Sequence, residues 1–579
     1  MKSNEVLFTL VLFHLFIFSG THATVDEPAN YVDPFIGTGI FKGHAVWGRY
    51  PGTYPGAAVP FGMVRLTPNT GDAVHQADDR RRGYHYEDAR IQNFHIGAFS
   101  IMPVAGLLRD GRTDYSAGFS HEREAAGPGY YSVVLDENNI RAEFTADVHS
   151  GFGRLTFPET DEASILMYID REDIEIMGQD KILSKRGRFQ FVLEFNRPFR
   201  STGSFDDGIF VNFSTSEDEI IIFKIGLSST GIEGAEKNLR SEIPDWDFDR
   251  VRSNARESWN KKLGKIEVEG GTEDQRVIFY TALYHSLLNP GDYTDVDGGY
   301  RRGNNVFEKP GDYSYRGGIG GWMGFLGKEP LLTLLEPSIQ RDRMKSTAAL
   351  YETGWWPHGS TMSGNNSIIT MLDIYNKGIT DFDLNTAYRA MRKSAMEPPY
   401  ARDDISEYLE FGYVPVGNNY SVTKTLEYAY DDWALAQFAK ASGNKEDYAE
   451  LMKRSLYYRN IFNPAERFMM AKSREGEWVN KGGFEEGSKW TYSWFVPYNM
   501  KDLINLMGGK DEFIAKLETC FEEGHYYHDN EPPRFYPYLF NHAGAPWITQ
   551  KWVREVMKAN YGTDPGGLSG EEDGGCLSS

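Results

Sequence analysis

The hydrophobic pattern of this chain changes period once, near residue 240, and that change restricts the architecture more than any single motif. From about 28 to 240, apolar residues alternate or cluster in short β-branched and aromatic runs between Gly, Pro, Asp and Asn turns. GYYSVVLDE (129–137), IRAEFTADVHSGFGRLTFP (140–158), ASILMYI (163–169) and GRFQFVLEF (187–195) are examples. Short strands with no helical stretch between them predict a β-sandwich rather than a βαβ sheet. After about 241 the period becomes helical. EIPDWDFDRVRSNARESWNKKL (242–263) reads as a connecting helix, and GKIEVEG (264–270) as a short β segment. TEDQRVIFYTALYHSLLNP (272–290) opens on a Thr cap and stops at Pro290. Helical units recur at 338–351, 365–377, 383–396, 425–441, 445–459, 500–507, 510–521 and 546–560. Paired helices that each bury one apolar face predict a bundle or a closed α/α toroid. The expected division is a sandwich domain over 24–240, a linker helix with a short strand over 241–271, and a helical domain over 272–579.

Before the sandwich, MKSNEVLFTLVLFHLFIFSGTHAT has a basic start, an apolar run from Val6 to Phe18 and a small-residue exit at Ala23. This is the pattern of a secretory signal peptide over 1–23, and it predicts a secreted, periplasmic or other secretory-pathway protein. A membrane anchor is the alternative, for which the run is short. No later stretch is apolar enough for stable membrane insertion. Net charge is −22 with no basic stripe, which argues against nucleic acid as partner and is compatible with a hard cation such as calcium. Only Cys520 and Cys576 are present, so at most one disulfide joins the fold and its cores must hold it.

The densest chemistry is FEEGSKWTYSWFVPYN (484–499), where Glu485 and Glu486 stand at a glycine turn before Trp490, Tyr492 and Trp494. Carboxyls beside indole faces suit a sugar cleft, because an apolar wall holds an acid protonated and an indole covers a pyranose face. A solvated acidic turn leading into a buried aromatic helix is the other reading of the same stretch. In TLEYAYDDWALAQFAKA (425–441), Glu427 and Asp431 are four apart on one helical face, a spacing at which like charges repel unless another group compensates. Asp529, Asn530 and Glu531 precede two prolines in an oxygen-rich turn suited to calcium or to sugar hydroxyls. In the tail, Glu571 and Asp573 alternate about Glu572 and would face one site if extended. The Gly/Pro-rich run at 48–71 holds more turn signals than a hairpin needs and reads as a rigid loop presented to another part of the molecule.

Together these segments resemble glycoside hydrolase family 92, the calcium-dependent exo-α-mannosidases that invert the anomeric carbon. The resemblance rests on YVDPFIGTG (31–39), TYPGAAVPFGMV (53–64), GYHYED (84–89), PGYYSVVLD (128–136), QRVIFYTALYHSLLNP (275–290), DVDGGYR (295–301), PLLTL (330–334), VTKTLEYAYDDW (422–433), EGSKWTYSWFVP (486–497), LMGG (506–509), NEP (530–532) and GEED (570–573). It implies a β-sandwich joined to an (α/α)6 toroid with the active site between them, and a mannose-containing glycan as substrate. It further implies Glu486 as general acid, Asp573 as general base and Glu571 as a companion acid. Trp322, Trp490, Glu427 and Asp431 are the expected substrate contacts, and Asn530 and Glu531 are expected beside a Ca2+ ion.

The chain departs from the family pattern where substrate contact is expected. GGWMGFLG (320–327) keeps Trp322 but has Met323 for an aspartate and Leu326 for an arginine. HGSTMSGNN (358–366) has His358 for an acid and Asn366 for a histidine. VPYN ends in Tyr498 and Asn499 where two ionisable groups are usual, and NEPPRF has Pro533, Arg534 and Phe535 after the NEP. Family resemblance also places further toroid and C-terminal β material beyond Ser579, so the toroid is expected to be incomplete here. A secreted non-catalytic glycan-binding or interaction protein on the same scaffold is therefore the alternative to a glycosidase.

Overall fold

The computed structural model describes residues 27–46, 48–71, 83–108, 114–184, 186–303, 305–307, 311–319, 322, 324–352, 363–397, 402–572 and 574–579. The signal-peptide pattern lies outside them. Fifteen strands build the first domain: β1 Leu66–Asn69, β2 Arg90–Ile91, β3 Asn93–Ile96, β4 Ser100–Ala105, β5 Ala117–Gly127, β6 Tyr130–Leu135, β7 Ile140–Ala146, β8 Ser150–Phe157, β9 Thr160–Tyr168, β10 Ile174–Met177, β11 Lys181–Ser184, β12 Gln190–Phe195, β13 Ser201–Phe205, β14 Gly208–Thr215 and β15 Glu219–Ser228. They form two antiparallel sheets, ordered β1-β3-β4-β9-β14-β13 and β10-β11-β12-β15-β8-β7-β6-β5-β2. The sheets bury their facing sides in one core, Ile101, Ile165 and Val211 of the smaller against Phe144, Leu155 and Phe223 of the larger. This is the β-sandwich expected from the alternating pattern.

The helical domain follows, but helix begins earlier than the period change suggests. Helix α1, Ile232–Glu242, lies in a stretch read as β, because it docks on the outer face of the larger sheet through Ala235 and Leu239 against Phe152 and Val192. Gly226 on β15 makes that approach possible, since a Cβ there would lie 2.4 Å from the Ala235 carbonyl oxygen. Next come α2 Phe248–Leu263 and α3 Glu273–Ser286, the latter opened by a reciprocal Thr272–Gln275 capping box. The segment 264–270 between them is not a strand. It has no strand to pair with among the described residues, and the Ile266 carbonyl instead accepts from the Tyr280 hydroxyl at 3.2 Å.

Then follow α4 Lys328–Leu335, α5 Pro337–Glu352, α6 Asn366–Asn376, α7 Leu384–Met396, α8 Ile405–Phe411, α9 Ser421–Ala441, α10 Lys445–Arg454, α11 Lys489–Tyr492, α12 Met500–Leu506, α13 Lys510–Glu522, α14 Phe540–Ala543 and α15 Pro546–Asn560. Apart from α4 and α8, whose Leu332 and Ile405 lie in smaller clusters, their apolar faces meet in one core running from Met344 on α5 through Leu426 and Leu435 on α9 to Leu517 on α13 and Val556 on α15. Helix α9 is the axis of that core, packed against α6, α7 and α10. Cys520 and Cys576 are both buried thiols, so no disulfide links the two.

The Gly/Pro-rich loop of the first domain does reach another part of the molecule. Ala58 and Phe61 enter an apolar cluster with Trp259, Tyr284 and Leu287. The Trp259 indole donates to the Ala58 carbonyl at 2.7 Å, and the Phe61 amide donates to the Leu287 carbonyl at 3.1 Å. The loop is thus a strap between sandwich and helices, and its N-terminal part borders the carboxyl-rich region described next.

Candidate active site

The turn Phe484–Ser488 sends two adjacent carboxyls to different partners. Glu486 has φ +43, a left-handed conformation that non-glycine residues seldom adopt, and the reversal separates its side chain from that of Glu485. Glu485 is buried: its Oε2 accepts from Ser363 Oγ at 2.6 Å, and its amide donates to Thr423 Oγ1 at 3.0 Å. Burial raises its pKa, the Ser363 bond opposes the rise, and Glu486 adds to it. Glu486 is half-buried, with Oε2 accepting from Asn530 Nδ2 at 2.9 Å and its carbonyl accepting from the Tyr527 hydroxyl at 2.9 Å. Ser488 then caps α11, its hydroxyl accepting from the Trp490 amide, so the strained turn is anchored on both sides.

Behind the turn, α9 carries Glu427, Asp431 and Asp432, all fully buried. Glu427 Oε2 accepts from Asn366 Nδ2 at 2.7 Å, and Asp431 Oδ2 accepts from the Asn365 amide at 2.7 Å. Glu427 Oε1 and Asp431 Oδ1 have no hydrogen-bond partner among the described residues. Burial pushes the Glu427 carboxyl well above the usual range, with Asp431 and Glu485 adding to the effect. Burial also lifts Asp431 to about 6, opposed by Arg402. The compensation that this like-charged spacing demands comes from Arg402, 3.5 Å from Asp431, while Asp432 is held by both Arg402 and Arg454. Gly364, at φ +79, lets the covering loop approach, because a Cβ there would lie 2.8 Å from Glu427 Cβ and 3.3 Å from Asp431 Oδ2. Glu427 and Asp431 therefore lie beneath the Ser363–Asn366 loop.

The turn after His528 ties three segments together. Asp529 Oδ2 accepts from the amides of Val46 at 2.5 Å and Gly48 at 3.4 Å, joining the strap to the helical domain. Asn530 Oδ1 accepts from the Glu531 amide at 2.8 Å while its amide group holds Glu486. Glu531 Oε2 accepts from the buried Trp322 indole at 3.3 Å, and its Oε1 lies 4.0 Å from Arg534 Nη2. The C-terminal loop packs on the same turn, since a Cβ on Gly570 would lie 2.4 Å from Asp529 Cα. Glu571 is half-buried, its Cγ 3.1 Å from where a Cβ on Gly48 would stand. Asp573 lies outside the described residues. Glu572, a residue sequence reasoning passed over, is the buried acid of the tail. Its amide donates to the Pro51 carbonyl at 2.8 Å, its Oε2 accepts from the Ser578 amide at 3.1 Å, and burial lifts its pKa to about 7.

The structure thus brings Glu486, Asn530, Glu531 and Trp322 into one connected set, with Glu427 and Asp431 behind Glu485 and Glu571 at the strap. Trp490 stands apart from these, stacked on His525 at 4.3 Å and edge-on to Phe468 at 4.7 Å. Several departures from the family pattern are taken up by packing. Tyr498 stacks on Tyr430 at 4.9 Å and donates its hydroxyl to the Ser455 carbonyl, Asn499 donates to the Tyr458 hydroxyl, and Leu326 lies against the helical core. Met323 and His358 lie outside the described residues.

The oxygens that would hold calcium are engaged otherwise. Among the described residues, no three His, Cys, Asp or Glu side chains converge as a metal site. Both polar ends of Asn530 are used, and Glu531 faces an indole donor on one oxygen and, at 4.0 Å, a guanidinium on the other.

Residues 31–228 match the family model described as the glycosyl hydrolase family 92 N-terminal domain, and residues 234–579 match that of the family 92 catalytic domain. The chain is 24% identical to an uncharacterized secreted glycosidase of Arthroderma benhamiae, over 95% of this chain and 81% of that one. A family GH92 α-mannosidase from Bacteroides thetaiotaomicron superposes with a TM-score of 0.85 at 28% identity, covering 96% of this chain and 83% of its own; it has also been solved in complex with mannoimidazole. A family GH92 inverting mannosidase from the same organism gives 0.84 at 28% identity, covering 96% and 85%.

Proposed function

This chain belongs to glycoside hydrolase family 92, and from that premise we propose that it is an exo-acting α-mannoside hydrolase that inverts the anomeric carbon. The carrying observation is the presentation of Glu486: a left-handed turn projects it, and two residues of a separate loop, Tyr527 and Asn530, fix its backbone and one carboxyl oxygen. Because Oε2 already accepts an N–H, an acidic proton on Glu486 resides on Oε1, the oxygen left to face a leaving group. In the proposed reaction Oε1 gives its proton to the glycosidic oxygen as the bond from that oxygen to C1 breaks. Asp573 takes a proton from the water that forms the new C1–O bond on the opposite face. Glu571 acts beside it as companion acid, and Trp322 stands as a sugar platform. Closure of the region by the strap at Asp529 supports removal of terminal rather than internal sugars. The secretory pattern of the N-terminus and a relative named as secreted support export, and among the described residues no helix is long and apolar enough to cross a membrane.

A proton NMR time course on an α-linked mannobioside tests the reading. β-Mannose is expected first, with Glu486→Gln and Asp573→Asn each lowering the rate about 10²–10⁴-fold. Release of α-mannose first, or unchanged rates in both variants, overturns the assignment. One observation favours a second reading, a glycan-binding protein without turnover: Leu326, Tyr498 and Asn499 serve packing where the family pattern has ionisable groups. Binding of the mannobioside without release of mannose would select it.

A further inference from the structure

The sequence carries three N-x-S sequons, beginning at Asn212, Asn365 and Asn419, and the fold places them in opposite environments. Asn212 lies on β14, a strand paired along both edges, with Ser201 of β13 on one side and Ser164 of β9 on the other. It is 2% exposed, and its Nδ2 donates to Glu162 Oε2 at 2.9 Å and to Ser164 Oγ at 3.1 Å. Asn365 is also 2% exposed, within the loop that covers Glu427 and Asp431, and its Nδ2 donates to Ser394 Oγ at 3.0 Å. A sugar chain on either Nδ2 would displace these bonds and force a packed segment open.

Asn419 is the opposite case. It is exposed in the turn between α8 and α9, and its neighbours keep it there. On one side Asn418 is tied down, its Nδ2 donating to Glu407 of α8 and, at 3.4 Å, to the Pro415 carbonyl. On the other side Ser421 is buried as the first residue of α9, and the Tyr420 carbonyl accepts from the Lys424 amide at 2.8 Å. Between them Tyr420 has φ +57, a left-handed reversal that takes the chain from the exposed asparagine to the buried serine. A bulky polar group on Asn419 therefore extends into water and disturbs neither helix. An exposed loop of an exported protein is where an N-glycan is accommodated.

We infer that Asn419 is the N-glycosylation site of this chain in a secretory route that carries out oligosaccharyl transfer, and that Asn212 and Asn365 are silent sequons. This rests on the proposed export. In the transfer, Asn419 Nδ2 forms a bond to C1 of the reducing-end sugar of a lipid-diphosphate-linked oligosaccharide. The bond from C1 to the diphosphate oxygen breaks, its electron pair leaves on the lipid diphosphate, and the amide gives up one proton. Transfer precedes folding, so burial does not hide Asn212 or Asn365 from the transferase. It acts on the product instead: a chain modified at either position cannot close the smaller sheet or the loop over α9, and is absent from the folded, secreted protein.

The test is expression of the full chain, with its own N-terminus, in a yeast secretory host. The secreted protein is digested with peptide-N-glycosidase in heavy-oxygen water, which converts each glycosylated asparagine to labelled aspartate, and its peptides are mapped by mass spectrometry. Label is expected at Asn419 and at neither Asn212 nor Asn365. Undigested Asn419→Gln is expected to migrate on a gel where the digested wild type does. A secreted wild-type chain without label at Asn419, or with label at Asn212 or Asn365, overturns the inference. The peptide map reads the wild type directly, so the result stands whether or not the variant folds. Retention of the chain inside the cell overturns the export reading instead; the same chain behind a yeast secretion leader then gives the same map, and the three sequons are judged by it independently.

Discussion

Asp431→Asn should change the pH dependence of stability in a direction fixed by the burial of this side chain. Asp431 is fully buried in α9, has one oxygen without a hydrogen-bond partner among the described residues, and is lifted to about 6 from an ordinary 3.8, chiefly by burial with Arg402 opposing. A rise of that size corresponds to ~3 kcal/mol between the protonated and ionised forms. Because the folded value is raised, this group's contribution is fully present below about pH 4 and is lost as pH rises through about 6. An asparagine in its place cannot ionise, and it keeps an oxygen for the Asn365 amide. Urea unfolding of the helical domain, followed by tryptophan fluorescence from about pH 4 to about pH 7.5, measures the difference. The variant should gain on the wild type by ~3 kcal/mol across that range, with the change centred between about pH 4 and 6. A wild-type-to-variant difference that stays constant with pH, or moves the other way, refutes the placement of a reluctantly ionised carboxylate here. Glu427 is raised for the same reason with Asp431 adding, so Glu427→Gln should show the same sign.

Gly364→Ala should destabilise the helical domain by ~2–3 kcal/mol, because alanine must adopt φ +79 with its Cβ 2.8 Å from Glu427 Cβ; calorimetry should show a fall of several degrees, and an unchanged midpoint would refute the close approach. Cys520 and Cys576 should both react with a thiol reagent in denaturant and resist it in the native chain, since each is a buried thiol raised to about 12 by that burial. No reactive thiol in denaturant would mean that the pair is oxidised.

Much of the fold was legible because its signals are local. Strand alternation marked out the sandwich, and the Thr272 cap with Gln275 marked the start of α3. What local patterns misread was decided by distant partners. GKIEVEG has the composition of a strand but nothing to pair with among the described residues, and α1 starts before the period change because Gly226 admits it onto a sheet face. Short α4, α8, α11 and α14 are too brief to show a period at all. At the site, spacing identified Glu427 and Asp431 as needing compensation but could not name Arg402, which comes from a separate segment.

The pair Glu485 and Glu486 shows how far one backbone angle separates residues that composition treats alike. Both are glutamates at the same turn. A left-handed φ at Glu486 directs the two carboxyls to different partners, one to Ser363 beneath the loop and the other to Asn530 on a separate turn. A carboxyl buried near Glu427 is pushed toward its neutral form, whereas one held by a single amide at a half-buried position keeps an oxygen for proton transfer. The strain at Glu486 is opposed by the Tyr527 hydroxyl on its own carbonyl and by the Ser488 cap immediately after it, so the distinction between the two acids depends on contacts made to the backbone of the turn.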